Sequence, residues 1–170
     1  MDKYELEAKE LRKVLVDGGV NVEVGCGCRK IHPMVLGIDP IPKGTTANMN
    51  KPSVADIVGI ASELNDHFEP NSVDSIVAGH AIHYEKSIPK TFEVFFSVLK
   101  YGGKVAVIDL SPAWQSKVET MKQFTINWFS LEECKKIAED AGFVTIEAKE
   151  AAPGWSFVWS GVKPKGLKTK

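Results

Sequence analysis

The chain has 170 residues, 44% of them hydrophobic and 25% charged, which suits one globular domain with a real core and leaves no room for a second. A formal net charge of −1 and a pI near 6.4 exclude an overall basic field that would draw it to nucleic acid or an anionic membrane. No apolar run reaches the length of a membrane span, the N-terminus is charged amphipathic sequence, and three cysteines form no disulfide framework, so the expected setting is cytoplasmic.

In chain order, Tyr4 to Val16 places Leu6, Leu11, Leu15 and Val16 at spacings compatible with one helical face, and Gly18-Gly19 is expected to stop that helix within residues 1–19. Val20 to Val24 then alternates and ends in Gly25-Cys26-Gly27, a strand stopping at a tight turn. Glycines there allow positive φ and close approach of a ligand to backbone amides. The stretch Cys28 to Met34 is too short for an ordinary crossover helix and carries Pro33, so the first crossover is expected to be a loop. A second apolar run, Val35 to Ile38, ends in Asp39 and sets a carboxylate at the end of a neighbouring strand, where it can accept from ribose hydroxyls.

Pro40 to Pro52 reads as loop, Ala55 to Gly59 as a short strand, and Val73 to Ala78 as a strand entered through the polar turn Glu69 to Ser72. Ser87 to Leu99 carries the stripe Ile88, Phe92, Phe95, Phe96 and Leu99, a core-facing helix that tolerates Pro89 in its first turn. Lys104 to Leu110 is an apolar strand. Ser130-Leu131-Glu132-Glu133 starts a further helix with a capping box, and Gly142 ends it. Val144 to Ala148 and Phe157 to Val162, joined through Ala152-Pro153-Gly154, read as a closing antiparallel hairpin. The lysines Lys163, Lys165, Lys168 and Lys170 read as a flexible basic tail over residues 163–170.

The run Glu23-Val24-Gly25-Cys26-Gly27 followed by Gly37-Ile38-Asp39-Pro40 resembles the first two motifs of the class I S-adenosylmethionine-dependent methyltransferases. Asn71 to His80 is similar to that family's fourth strand and the loop leaving it. Val98-Leu99-Lys100-Tyr101-Gly102-Gly103 resembles the turn into its fifth strand, with Tyr101 where proline is usual. The resemblance implies an α/β fold: a Rossmann-like, open, mostly parallel seven-stranded sheet of order 3-2-1-4-5-7-6 with a C-terminal antiparallel hairpin. It also implies S-adenosyl-L-methionine as cofactor and methyl transfer as activity.

By that resemblance Gly25, Cys26 and Gly27 meet the methionine part and ribose, Glu23 reaches the amino group, Asp39 takes the ribose, and Gly79-His80 closes the other side. Ile60 stands where an adenine-reading aspartate is common, so Ile60 packs on the ring and the amide of Ala61 donates to adenine. Arg29 stands where a third glycine is common.

Other readings stand beside these. Glu23 and Asp39 could be solvent-facing strand ends. Cys26, Cys28 and His32 offer three ligands at a spacing unlike structural zinc, and no metal site is assigned. His80 or His83 could act as a base, but the duller reading packs His80 on the cofactor and leaves His83 partly exposed on a helix. No catalytic residue is assigned. Trp114 and Trp128, flanking the Ser111 to Phe129 connection, are the acceptor-side candidates. The partner is read as a small-molecule acceptor, with no nucleic acid and no membrane. A methyltransferase-like binding module without activity is the main alternative. A nicotinamide-dependent oxidoreductase is a third, disfavoured because its Gly-x-Gly-x-x-Gly fingerprint is incomplete at Lys30.

Overall fold

The computed structural model describes residues 2–46, 50–115, 127 and 129–166. Its elements are α1 (Lys3–Arg12), β1 (Asn21–Val24), β2 (Val35–Asp39), β3 (Ile57–Val58), β4 (Val73–Gly79), α2 (Ile88–Val98), β5 (Leu99–Leu110), α3 (Pro112–Gln115), α4 (Leu131–Asp140), β6 (Val144–Ala152) and β7 (Ser156–Val162). Short 3-10 segments follow β3 and β4, two turns at Ala61–Asp66 and one at Ile82–Tyr84.

All seven strands join one sheet in the order β3-β2-β1-β4-β5-β7-β6, as the resemblance implied. β1 pairs in parallel with β2 on one side and β4 on the other, so the strand order reverses at β1 and opens a crevice at the carboxyl ends. β7 runs antiparallel to both β5 and β6.

The two sheet faces are covered differently. On one, α2 and α4 bury Phe92, Phe95, Cys134 and Ala138 against Val22, Ile76, Val105 and Trp159. Ser87 caps α2 by accepting from the Lys90 amide, and Ser130 and Glu133 form the expected capping box on α4. On the other face α1 lays Leu11 on Val77, Ala106, Ile108 and Val158.

Two expectations fail here for identifiable reasons. The first helix ends at Arg12 and does not reach Val16. Beyond it the bonds shorten to Val14 N–H on Leu11 O and Leu15 N–H on Arg12 O, and the Asn21 side chain clasps the bend. Its Oδ1 accepts from Val16 N–H, and its Nδ2 donates to Val16 O and Gly19 O. Lys163 is not part of a solvated tail. It is buried, and its Nζ donates to Phe96 O (2.7 Å), Leu99 O (2.9 Å) and Asn71 Oδ1 (2.7 Å), satisfying carbonyls at the end of α2. Lys168 and Lys170 lie outside the described residues.

The first crossover holds no helix, as expected. Its loop is fastened at Ile31 from two sides: the Ile31 amide donates to Glu23 Oε2 at 2.9 Å, and the Ile31 carbonyl accepts from Arg12 Nε of α1 at 2.9 Å.

Candidate functional site

β1 runs into a turn in which Gly25 (φ 72°) and Gly27 (φ 53°) both take the left-handed region. The amides of Gly25 and Cys26 donate to Ile38 O at 2.8 and 3.3 Å, which ties the turn to the end of β2. A Cβ on Gly25 would stand 2.4 Å from the Cβ of Ala81, so the loop leaving β4 also demands glycine there.

Asp39 is buried at the end of β2, with Oδ2 accepting from Gly27 N–H (3.0 Å) and Oδ1 from Ile41 N–H (2.9 Å). Ile60 is half-buried. Ala61 is fully buried, and its amide donates to Glu85 Oε1 at 2.9 Å. The structure thus gives the amide proposed for adenine a partner of its own.

A cleft of about 680 Å³ opens at the carboxyl ends of β1, β4 and β5, roofed by α1. It brings together Glu23, Gly25, Cys26, Gly79 and His80. Gly27, Asp39, Ile60 and Ala61 are not among its lining residues. Glu23 is 5% exposed, and burial pushes its carboxyl up to about 7, against the Ile31 amide and the charges of Lys30 and Arg29. The ionised form of this acid is therefore poorly stabilised by its surroundings. Burial, with the charges of Glu23 and Asp39, pushes the Cys26 thiol up to about 12, so it is no thiolate nucleophile at neutral pH.

His80 holds the left-handed region (φ 53°), an uncommon place for a non-glycine residue, and its Nε2 lies 3.1 Å from Glu7 Oε1 on α1. Burial opposes the imidazolium, yet the hydrogen bond and charge of Glu7 win and raise the His80 pKa. Glu7 answers in the other sense: burial raises its pKa, but His80, Ser156 and Trp155 bring it below the usual carboxylate value.

His83 is not partly exposed. Its side chain is fully buried, with Nδ1 at 2.8 and 2.9 Å from the two carboxylate oxygens of Asp109, and Tyr84 tilts over its ring at 4.1 Å. Lying under Tyr84 instead of in the cleft wall, it orients the loop after β4. Trp114, on α3, meets Trp155 edge-on at 4.4 Å between ring centres. Trp128 lies outside the described residues, as does most of the Ser111 to Phe129 connection.

Sequence reasoning missed Tyr4, Glu7, Tyr84 and Trp155, all of which line the cleft. Glu7 left a signal, since it shares the face of Leu11 one turn on and so sets a carboxylate in an apolar stripe. Trp155 sits in a Pro-Gly-Trp hairpin turn with nothing local to aim it. Among the described residues no cluster of three or more His, Cys, Asp or Glu side chains could hold a metal ion, and no helix is long and apolar enough to cross a membrane.

The chain's residues 22–107, just over half its length, match the model of the methyltransferase domain family. Among solved structures it is similar to a Thermotoga maritima S-adenosylmethionine-dependent methyltransferase described as a possible histamine N-methyltransferase. That pair has a TM-score of 0.70 at 18% identity, covering 94% of this chain and 88% of that one. It is also similar to a methyltransferase candidate from Haloferax volcanii in complex with the Trm112 methyltransferase activator (TM-score 0.74, 19% identity, 96% and 91% covered). A third likeness is to Haemonchus contortus phosphoethanolamine N-methyltransferase 2 in complex with S-adenosyl-L-methionine (0.69, 18%, 95% of this chain and 53% of that one). No curated protein sequence matches the chain.

Proposed function

The chain belongs to the methyltransferase domain family, an enzyme with S-adenosylmethionine as its cofactor, and from that premise we propose that it methylates a small-molecule acceptor in the cleft beneath α1. The observation that carries this is one enclosure lined both by the glycine turn with its buried acid, Glu23, Gly25 and Cys26, and by the aromatic side chains of Tyr4, Tyr84 and Trp155. A cleft of about 680 Å³ roofed by a helix suits a compact acceptor better than an extended polymer.

The residues fit the cofactor. Glu23, buried and accepting from the Ile31 amide on its Oε2, is placed to receive the ammonium of an amino acid. The Gly25 and Cys26 backbone holds the methionine chain, and Gly79 and His80 close the opposite side. Asp39 meets the ribose by exchanging its amide partners, and Ile60 packs on adenine beside the occupied amide of Ala61. Bound there, the cofactor supplies a methyl group activated by a sulfonium. The chain aligns the acceptor with that methyl and excludes water, for which no acid or base need be assigned.

Titration calorimetry with S-adenosylmethionine and S-adenosylhomocysteine tests the cofactor site, and incubation of the protein with cell extract and methyl-labelled cofactor tests the acceptor class. Saturable heat and label in a low-molecular-mass product are expected. Absence of heat at millimolar cofactor would refute the cofactor site, and label confined to macromolecules would refute the small-molecule acceptor.

A further inference from the structure

Over two of the aromatic rings that line the cleft, Tyr4 and Trp155, stands a cation supplied by the protein itself. Lys3 Nζ lies 3.2 Å from the ring centre of Trp155, with Tyr4 at 5.3 Å and Trp114 at 5.8 Å. All three rings lie within the roughly 6 Å at which an aromatic face attracts an ammonium, and Trp is the strongest of the rings for it. Tyr4 and Trp155 also line the cleft, where Glu7, paired with His80 at 3.1 Å, adds a buried carboxylate that a second cation can share. The acid and the rings therefore favour the same kind of guest, a positively charged organic group.

We propose that the methyl acceptor is an organic amine that enters as its ammonium, held by Trp155, Tyr4 and Glu7, and that Lys3 occupies this aromatic corner as an internal stand-in until the amine displaces it. The proposal rests on the methyltransferase reading above and names the substrate class of that same cleft. Lys3 lies in the first turn of α1, on a side chain with four flexible carbons, so it can swing out to solvent without moving the helix. The reaction balances. Once held against the rings, the ammonium gives one proton to solvent, and the freed lone pair forms a bond to the sulfonium methyl carbon. The carbon–sulfur pair returns to sulfur as a neutral thioether. The product amine carries the single positive charge, so the rings that hold the substrate also hold the product.

The test uses the full chain with S-adenosylhomocysteine present and follows tryptophan fluorescence during titration with choline and with its uncharged isostere 3,3-dimethylbutan-1-ol. Choline is expected to bind about tenfold tighter than the isostere, the preference that a partly desolvated cation–π contact provides. Lys3→Met, which keeps the stem and removes the competing charge, is expected to tighten choline several-fold and leave the isostere unchanged. A parallel assay with methyl-labelled cofactor should place label on the nitrogen of primary or secondary amines and leave matched phenols and carboxylic acids unlabelled. Equal affinity for choline and the isostere, weaker choline binding by Lys3→Met, or label on phenols or acids alone would each overturn the proposal. Calorimetry with the cofactor on the same samples separates the two readings: cofactor heat without ammonium preference sinks this inference only, whereas loss of cofactor heat sinks the methyltransferase site beneath it. Because Lys3 is at the chain's start and outside both core clusters, its variant is a fair test even if Trp155 substitutions unfold the protein.

Discussion

The Glu23 and Asp39 ends of the proposed cofactor site, read as the methionine and adenosine halves, differ in how their hydrogen bonds are met. In the first, Glu23 is buried with too little to stabilise its charge, and its pKa stands near 7. In the second, the groups expected to hold ribose and adenine are already satisfied: Asp39 by the amides of Gly27 and Ile41, the Ala61 amide by Glu85. An unmet buried acid gains a full charge-assisted bond when a cation arrives, while a satisfied group only trades one partner for another, with a net gain near zero to about 1 kcal/mol. Cofactor affinity should therefore be concentrated at the methionine end and in apolar contact with Ile60.

The harshest way to break that contrast is to damage the turn on which both halves depend. Gly25→Ala places a Cβ at 2.4 Å from that of Ala81 and forces a side chain onto φ 72°. Overpacking of this kind costs about 1 to 3 kcal/mol and the left-handed backbone about 1 to 2 kcal/mol more, and cofactor affinity should fall with the fold. Adding Ala81→Gly should recover the packing part and leave the backbone part, read as two steps in urea midpoint. If the double variant gains nothing over Gly25→Ala, the clash with Ala81 is not what demands glycine.

Glu23 sharpens the comparison through pH. Its folded pKa of about 7 lies above the unfolded value of 4.5, so between them the folded chain binds more protons than the unfolded one. The stability it contributes is complete below pH 4.5 and is lost as pH rises to about 7, on the order of 3 kcal/mol in all. Glu23→Gln should flatten that slope and stabilise the free protein at pH 8 while weakening the cofactor at least tenfold. Binding beside an ammonium should also drive a proton off Glu23 near pH 6.5, visible as a calorimetric heat that varies with the ionisation enthalpy of the buffer. Buffer-independent heat would mean that no cation reaches this acid.

Asp39→Ala makes the opposite prediction on the adenosine side. It strands the buried Gly27 amide and loses the bond to Ile41, so the free protein should lose about 1 to 3 kcal/mol before any ligand is considered. The loss of cofactor affinity should be smaller than that of Glu23→Gln, since a partner is exchanged and not gained. A stable Asp39→Ala protein that binds the cofactor a hundredfold more weakly would reverse the assignment of the two halves.

The α4 capping box and the glycine turn were legible because they depend on neighbours in the chain, a Ser-x-x-Glu box and a strand ending in Gly-x-Gly, whereas the order of the strands came from the resemblance of four motifs to a known family. The site was half legible for the same reason. Glu23, Gly25 and Cys26 are local to one turn, and Gly79-His80 ends the adjacent strand. Tyr4, Glu7 and Trp155 come together only when α1 crosses the sheet and the β6–β7 hairpin folds beneath it, contacts set by tertiary packing and not by spacing. The misreadings have the same origin. His83 was expected partly exposed on a helix, yet Asp109, from the fifth strand, draws it inside. Lys163 was judged by its place in a lysine run, yet the open carbonyls of α2 claim it.

The smallest effect concerns the link between the methionine half and its roof, the His80–Glu7 pair. His80 keeps a left-handed backbone, costing about 1 kcal/mol, and returns it through an ion pair that ties the loop after β4 to α1. Glu7 is shifted down and His80 up, so the pair stabilises the fold above the unfolded pKa of the acid and below that of the imidazole. Its contribution is lost as pH falls through the lowered Glu7 value, and again as pH rises through the raised His80 value, above 6.5. His80→Asn tolerates the same backbone but cannot carry charge. Relative to the parent it should lose about 1 kcal/mol at pH 6 and recover most of that difference by pH 8.5, measured as urea midpoints. His80→Gly, which also relieves the backbone, should sit slightly above His80→Asn at both pH values. A gap between parent and His80→Asn that does not change from pH 6 to 8.5 would show that the imidazole holds the roof by packing on Trp155, 6.4 Å away edge-on, and not by charge.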